Sequence, residues 1–166
     1  MMYRVLFIFT GFLVTGVLCG CGPAQPEVKR VIRDDATIMR EWLYGPRSTE
    51  SGIVWQSSGL GIRLLAAGAG VAPTRADRVR VHYLCTLKDG KVIDDSRTRG
   101  VPADLVVKTL IAGWAEGMEV LKPGGKAEFF IPPSLGYGTM GGGGVPAGAG
   151  LIFEVELLAV NPSTAK

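Results

Sequence analysis

The sequence predicts an α+β domain in which an antiparallel sheet packs one apolar face against a single short helix. Three observations carry this expectation. Segments at 78–83 and 151–157 alternate between two residue sets, as a half-buried strand does. "IAGWAEGMEVL" at 111–121 instead places Trp114, Met118 and Leu121 at spacings of four and three, one face of a helix. Glycine supplies 24 of 166 residues, well above the usual share of about 7%, which fits tight turns and close backbone approaches.

The chain opens with "MMYRVLFIFTGFLVTGVLCGCGPAQ", where Arg4 precedes an apolar run from Val5 to Val17. That run is shorter than the ~20 residues needed to span a bilayer and has the pattern of a signal peptide, here residues 1–20. It ends in Leu18-Cys19-Gly20-Cys21, which resembles the cleavage and lipidation box of bacterial lipoproteins. The resemblance implies that Cys21 carries the lipid and that its acyl chains hold the protein on a membrane surface, facing the periplasm. Gly22 in place of Asp after the cysteine implies the outer membrane. With Cys19 removed and Cys21 capped, Cys85 stands alone and no intramolecular disulfide can form. Maturation leaves 146 residues, enough for one domain and a tail. The formal charge falls from +3 to +2 without Arg4, too small and dispersed a charge for a nucleic-acid footprint.

Residues 21–57 read as a lipidated cysteine and a tether. In "EVKRVIRDDATIMREWLYG", Asp34 or Asp35 can cap a short helix that Gly45-Pro46 would end. The segment is too short for its own core, so it is expected to be a solvated tether, with a dimerising helix as the alternative. Ser48–Ser58 continues the link with one apolar patch, "GIVW", and Trp55 is given no function.

The domain is expected at 58–161. "GIRLLAAG" reads as a strand ending at Gly68. "DRVRVHYLCTLKDGKVIDD" sets Val79, Val81 and Tyr83 against Arg78, Arg80 and His82, then turns at Asp89-Gly90. The short helix contains Gly113 and Gly117, each unfavourable by about 1 kcal/mol relative to alanine; letting the strands approach the helix would offset that. Pro123-Gly124-Gly125 turns into a strand that ends at Pro132. "LIFEVELLAV" closes the sheet, with Leu151, Phe153, Val155 and Leu157 opposite Ile152, Glu154 and Glu156.

Familiar catalytic sets are missing. His82 is the one histidine and sits on the strand face opposite Tyr83, so it reads as structural, and neither a histidine triad nor a multi-histidine metal site can be built. "GGGGVP" from Gly141 lacks the Lys-Ser/Thr and the helix of a phosphate-binding loop, and reads as a flexible loop tip. Asp94 and Asp95 are adjacent in a strand and so face opposite ways, which removes them as a carboxylate pair. A function without metal or cofactor is expected.

Four blocks, "SGLGIRLLAAGAG", "VRVHYLCTLKDGKVIDDS", "IAGWAEGMEVLKPGGKAEFFIPPSLGYG" and "AGLIFEVELLAV", resemble consecutive blocks of the FKBP-type peptidyl-prolyl cis-trans isomerases, from Ser58 to Val160. The resemblance implies a strongly curved antiparallel sheet around the helix, with an apolar pocket between them. It implies Trp114 as the floor beneath a substrate proline ring and Tyr83, Leu110, Ile111 and Phe153 as walls. It implies that the Ile111 N–H and the Tyr137 hydroxyl hold substrate carbonyls, and that Asp94 lies at the rim, oriented by Tyr83 and Arg99. Gly113 and Gly117 would leave the cavity mouth uncrowded.

The sequence departs from the family pattern at several points. Ile93 stands for a usual phenylalanine, Cys85 for a usual glycine, and Ala103 offers little wall. The loop "YGTMGGGGVPAG" is one residue short, with Val145 as its single aliphatic residue before the proline. The implied activity is rotation about Xaa-Pro bonds in folding envelope proteins, with no cofactor and no metal. Implied partners are proline-containing polypeptides, the membrane through Cys21, and macrolides; nucleic acid is not among them. The alternative is a non-catalytic module that holds proline segments in the same pocket.

Overall fold

The structure, a computed structural model, describes residues 35–162, all within one compact unit. The expected signal peptide at 1–20 and the lipidated Cys21 lie outside them. In chain order the elements are α1 (Asp35–Tyr44), a 3-10 turn (Gly45–Thr49), β1 (Ile53–Trp55), β2 (Gly61–Ala66), β3 (Arg78–Thr86), β4 (Val92–Asp95), β5 (Ala103–Val106), α2 (Ala112–Met118), β6 (Lys126–Ile131) and β7 (Leu151–Val160).

The seven strands form one antiparallel sheet in the order β1-β2-β6-β7-β3-β4, and β5 shares with β4 the outer edge of β3. β3 and β7 make the longest pairing, from Val79 opposite Val160 to Thr86 opposite Ile152. Register shifts in β2 and β3 mark irregularities of the kind that bend and twist a strand, and the sheet wraps α2.

Alternation decides what faces inward. Val79, Val81, Cys85, Ala127, Phe129, Ile131, Phe153, Val155 and Leu157 join Trp114 and Met118 in the main core. Burial of each large apolar side chain contributes about 1.5–3 kcal/mol. α2 stops at Met118, so Leu121 is buried just beyond the helix rather than on it.

Gly113 and Gly117 face the sheet. A Cβ at Gly113 would lie 2.6 Å from Ile131 Cγ2, and one at Gly117 would lie 2.8 Å from the Phe129 ring. Their role is therefore close helix–strand packing, not clearance of a cavity mouth. The expectation that strands approach the helix through its glycines describes the geometry; the expectation of an uncrowded pocket entrance does not.

The stretch read as a tether is part of the fold from Asp35 onward. α1 forms where a short helix was expected and gives way at Gly45. Its Leu43 and Tyr44 cover Phe130 and Ile152 on the outer sheet face, with Ile53 and Trp55 packed against them. Tyr44 meets Phe130 edge to face, with ring centres 5.5 Å apart. β1 pairs with β2, placing Trp55 opposite Gly61, so the sheet begins at Ile53 rather than at 58. Glu128, buried on the same face, is gripped by Arg47 and by Arg63, whose Nε donates to Oε2 at 2.6 Å. A buried carboxylate left without such partners would destabilise the fold by about 3–5 kcal/mol.

Gly117→Ala is expected to lower stability by about 1–3 kcal/mol, because the added methyl overlaps an aromatic ring that has nowhere to move. Urea unfolding checks this: the midpoint falls while the slope is kept.

Candidate active site

Strand polarity and the start of α2 build the site. Tyr83 and Cys85 project inward from β3 at alternate positions, and register sets Cys85 opposite both Phe153 on β7 and Asp94 on β4. Ile111 is the N-cap of α2, in extended backbone conformation (φ −58°, ψ 150°), and its carbonyl accepts the Trp114 N–H at 3.0 Å. This turn sets the Trp114 indole beneath the concave face. The resulting cavity, about 280 Å³, is lined by Tyr83, Cys85, Ile93, Asp94, Leu105, Thr109, Leu110, Ile111, Trp114, Tyr137, Gly143, Val145 and Phe153.

Three aromatic rings form its base. Trp114 meets Tyr83 at 5.3 Å and 89°, and Phe153 at 5.2 Å and 71°, while Tyr83 and Phe153 lie 6.3 Å apart. Edge-to-face pairs of this kind add about 0.5–1.5 kcal/mol beyond their area burial, so the floor is rigid. Trp114 is 3% exposed, and its Nε1–H is buried without an acceptor among the described residues.

The rim is polar and tied together. Tyr83 Oη donates to Asp94 Oδ2, Arg99 Nη1 donates to Asp94 Oδ1, and Arg99 Nη2 donates to Tyr83 Oη at 2.8 Å. Burial pushes the Asp94 pKa up, but the hydrogen bonds from Tyr83 and Arg99 and the guanidinium charge outweigh it, holding the carboxyl below its usual range. Burial, then the bond to Asp94, raises the Tyr83 phenol. Burial first, with the Asp94 charge adding, pushes the Cys85 thiol up to about 12, so at neutral pH it is an uncharged, apolar wall.

The loop after β6 closes the far side. Gly142 and Val145 exchange backbone hydrogen bonds at 3.0 and 2.9 Å, and the Gly148 N–H reaches the Gly138 carbonyl at 3.1 Å. Gly141, Gly142, Gly143 and Gly144 all have positive φ, from 59° to 151°, a run that side-chain-bearing residues rarely adopt. The "GGGG" run, expected to be a flexible tip, is thus a hydrogen-bonded turn that presents Val145 to the cavity, 6% exposed. Tyr137 stands at the rim, 41% exposed.

The pocket residues singled out in the sequence lie in this lining, apart from Arg99, which holds the rim from outside, and Ala103, which does not reach it. Asp95 points away and accepts the Arg97 N–H, so no carboxylate pair exists. His82 contacts Ser96 Oγ at 3.1 Å, and neither residue lines the cavity. Leu105, Thr109 and Gly143 were not anticipated. The signal for Leu105 was available: two residues after Ala103 on one strand face, it supplies a wall in place of that small side chain. Cys85 was noted as a departure and is a wall residue. Among the described residues no cluster of three or more His, Cys, Asp or Glu could hold a metal ion.

Chemically, the cavity offers an apolar, aromatic-floored slot and few donors. The Ile111 N–H has no acceptor among the described residues and lies at the lining. The one carboxylate in the lining, Asp94, is held by Tyr83 and Arg99 below its usual pKa, a weak base, and the Cys85 thiol is neutral.

Residues 70–158 match the sequence profile of the family described as FKBP-type peptidyl-prolyl cis-trans isomerase. The chain is 45% identical over 114 residues to the FKBP-type peptidyl-prolyl cis-trans isomerase FkpA of Escherichia coli, covering 69% of this chain and 42% of that protein. It is 41% identical over 110 residues to the peptidyl-prolyl cis-trans isomerase Mip of Coxiella burnetii, covering 66% and 48%. It thus spans less than half the length of these relatives. Among solved structures, Escherichia coli FkpA superposes with a TM-score of 0.70 at 41% identity, covering 78% of this chain and 59% of that one. A peptidyl-prolyl cis-trans isomerase from Pseudomonas syringae gives 0.67 at 28% identity, covering 76% and 94%.

The Asp94 carboxylate contributes stability that is present above the ordinary carboxyl pKa of ~3.9 and is lost as pH falls through its own lower value. Arg99→Ala is expected to move the Asp94 pKa upward, since burial then opposes ionisation with one counterweight fewer. A carboxyl-carbon NMR titration of Asp94 in the two proteins checks the direction.

Proposed function

The chain belongs to the FKBP-type peptidyl-prolyl cis-trans isomerases, and on that premise we propose that it catalyses rotation about Xaa-Pro bonds in folding polypeptides. The observation that carries this reading is the rigid aromatic base of Trp114, Tyr83 and Phe153 beneath a slot with a neutral wall at Cys85.

The reaction needs no proton relay and no nucleophile. Its barrier of ~18–20 kcal/mol is the resonance lost when the amide twists. Planar amide is the more charge-separated form, so transfer from water into an apolar slot disfavours it relative to the twisted form. A proline ring seated on Trp114 is walled by Phe153, Ile93, Leu110 and Val145. The Ile111 N–H, already directed by the start of α2, holds one flanking carbonyl, and the Tyr137 hydroxyl at the rim reaches another. The Tyr83–Asp94–Arg99 tie keeps the polar edge fixed, and the backbone turn into α2 fixes the Ile111 N–H, so that donor needs no reorganisation during the twist. Each ~1.4 kcal/mol by which these contacts favour the twisted over the planar form gives about a tenfold gain in rate.

The same reading places the protein on the envelope. Leu18–Cys21 supports lipid attachment at Cys21, a membrane-held protein facing the periplasm, and Gly22 supports the outer membrane. Among the described residues no helix is long and apolar enough to cross a membrane. Clients would be proline-containing envelope proteins, for which uncatalysed isomerisation takes tens to hundreds of seconds; macrolides that fill the apolar slot would compete with them.

Two experiments test these points. The wild-type protein is expected to accelerate cis/trans exchange in an Xaa-Pro peptide, and Trp114→Leu to lower kcat/KM by more than about tenfold while circular dichroism shows an intact fold. Background rates with retained peptide binding would instead make the pocket a proline-holding module. Cys21→Ser is expected to abolish incorporation of labelled fatty acid in cells and to move the protein from the membrane fraction; retained label would end the lipid assignment.

A further inference from the structure

A second cavity, about 260 Å³, lies between the end of α1, the β3–β4 turn and the returning arm of the glycine loop. Trp42 and Leu43 of α1, Leu87 of the turn and the run Pro146–Gly150 form its walls. Two charged residues also border it, and both are engaged. Lys88 Nζ donates to the Trp42 carbonyl at 2.9 Å and lies 5.1 Å from the centre of its ring, while Asp89 Oδ1 accepts the Lys91 N–H at 3.0 Å. The groove therefore offers apolar surface and backbone between these walls, bordered by one ammonium and one carboxylate that backbone groups hold in place.

Trp42 is the unusual member. It is 58% exposed, and Met39, three residues earlier on the helix, is exposed as well. Lys88 holds both its carbonyl and its ring, so a large apolar surface is pinned in water instead of folding away. Contiguous exposed apolar surface marks contact sites.

The groove adjoins the proline pocket along two segments of the chain. Val145 lines the first cavity and its neighbour Pro146 the second; Cys85 lines the first and Leu87, two residues on, the second. Alternate residues of a strand are about 7 Å apart, so a polypeptide leaving one cavity needs only a few residues to enter the other.

We propose that this groove is a second subsite for the client polypeptide: it takes an apolar or aromatic side chain of an extended segment whose proline occupies the first cavity. The proposal rests on the isomerase reading and names what lies beyond the Xaa-Pro pair. It also gives α1 a purpose beyond covering the sheet, as the outer wall of the path the client follows.

The test compares a short Xaa-Pro peptide with the same peptide extended by about six residues on either side, each extension bearing a leucine and reaching ~20 Å at ~3.3 Å per residue. Isomerisation kinetics and calorimetric binding are measured with wild type, Trp42→Ala and Trp42→Phe. The extended peptide is expected to show a KM and a Kd about tenfold below those of the short one. Trp42→Ala removes that advantage, Trp42→Phe restores part of it, and short-peptide values stay the same in all three proteins. The proposal is overturned if Trp42→Ala leaves the extended peptide unaffected or shifts both peptides equally. A variant that alters self-association in sedimentation with unchanged peptide constants would assign the face to a second copy and likewise overturn it. Absence of turnover on the short peptide by wild type defeats the isomerase reading alone, because the binding comparison still decides the groove.

Discussion

The spacing between α2 and β6 is set by what is absent at positions 113 and 117. A seven-residue helix has few side chains with which to anchor itself, and a sheet can wrap it only if backbone meets side chain directly. Ile131 and Phe129 occupy the volume that two methyl groups would take. Two glycines weaken the helix locally, and the packing against β6 offsets that. Trp114, between them, is then fixed in height above the concave face, and the positions of Tyr83 and Phe153 follow from their contacts with it. The pocket is thus a by-product of helix–sheet contact distance, and its floor is as rigid as the core because it is continuous with the core.

Around this floor, polar groups are segregated by depth. The lower walls carry rings, aliphatic side chains and an uncharged thiol. The ionised groups, Asp94 and Arg99, sit at the mouth, where water and each other satisfy them. Segregation of this kind matters for chemistry that depends on excluding charge from one end of a slot while keeping a fixed donor at its edge. The outer face of the sheet solves the opposite problem: Glu128 is buried, and two arginines from different segments neutralise it. One of them, Arg47, follows α1, so the ion pair also fastens the added layer to the sheet.

Much of the inner fold was legible because alternation in β3 and β7 and helical spacing at Trp114 and Met118 are local signals of burial on one face. The pocket residues could be named because four blocks resemble, in order, those of the FKBP-type isomerases, and the resemblance implies which of their positions line a pocket. The outer layer was not legible in the same way. Phe129 and Phe130 are adjacent in β6, so one of them must face outward, and that was the signal that something covers the back of the sheet. A segment with mixed charges and no visible core of its own gave no hint that Tyr44 and Trp55 would supply the cover. Nor could glycine content alone distinguish roles: Gly61 makes room for the Trp55 ring, Gly117 for Phe129, and Gly141–Gly144 for a backbone path. Which of these applies depends on a partner distant in sequence.

The place of β7 has a consequence for how the molecule comes into being. Among the described residues it is the last strand in sequence and an interior strand in space, flanked by β6 on one side and β3 on the other. Until Leu151–Val160 has been synthesised, the sheet exists only as two fragments, each exposing a long unpaired edge. Closure must therefore be a single late event that joins both at once, and pairing so remote in sequence is slow.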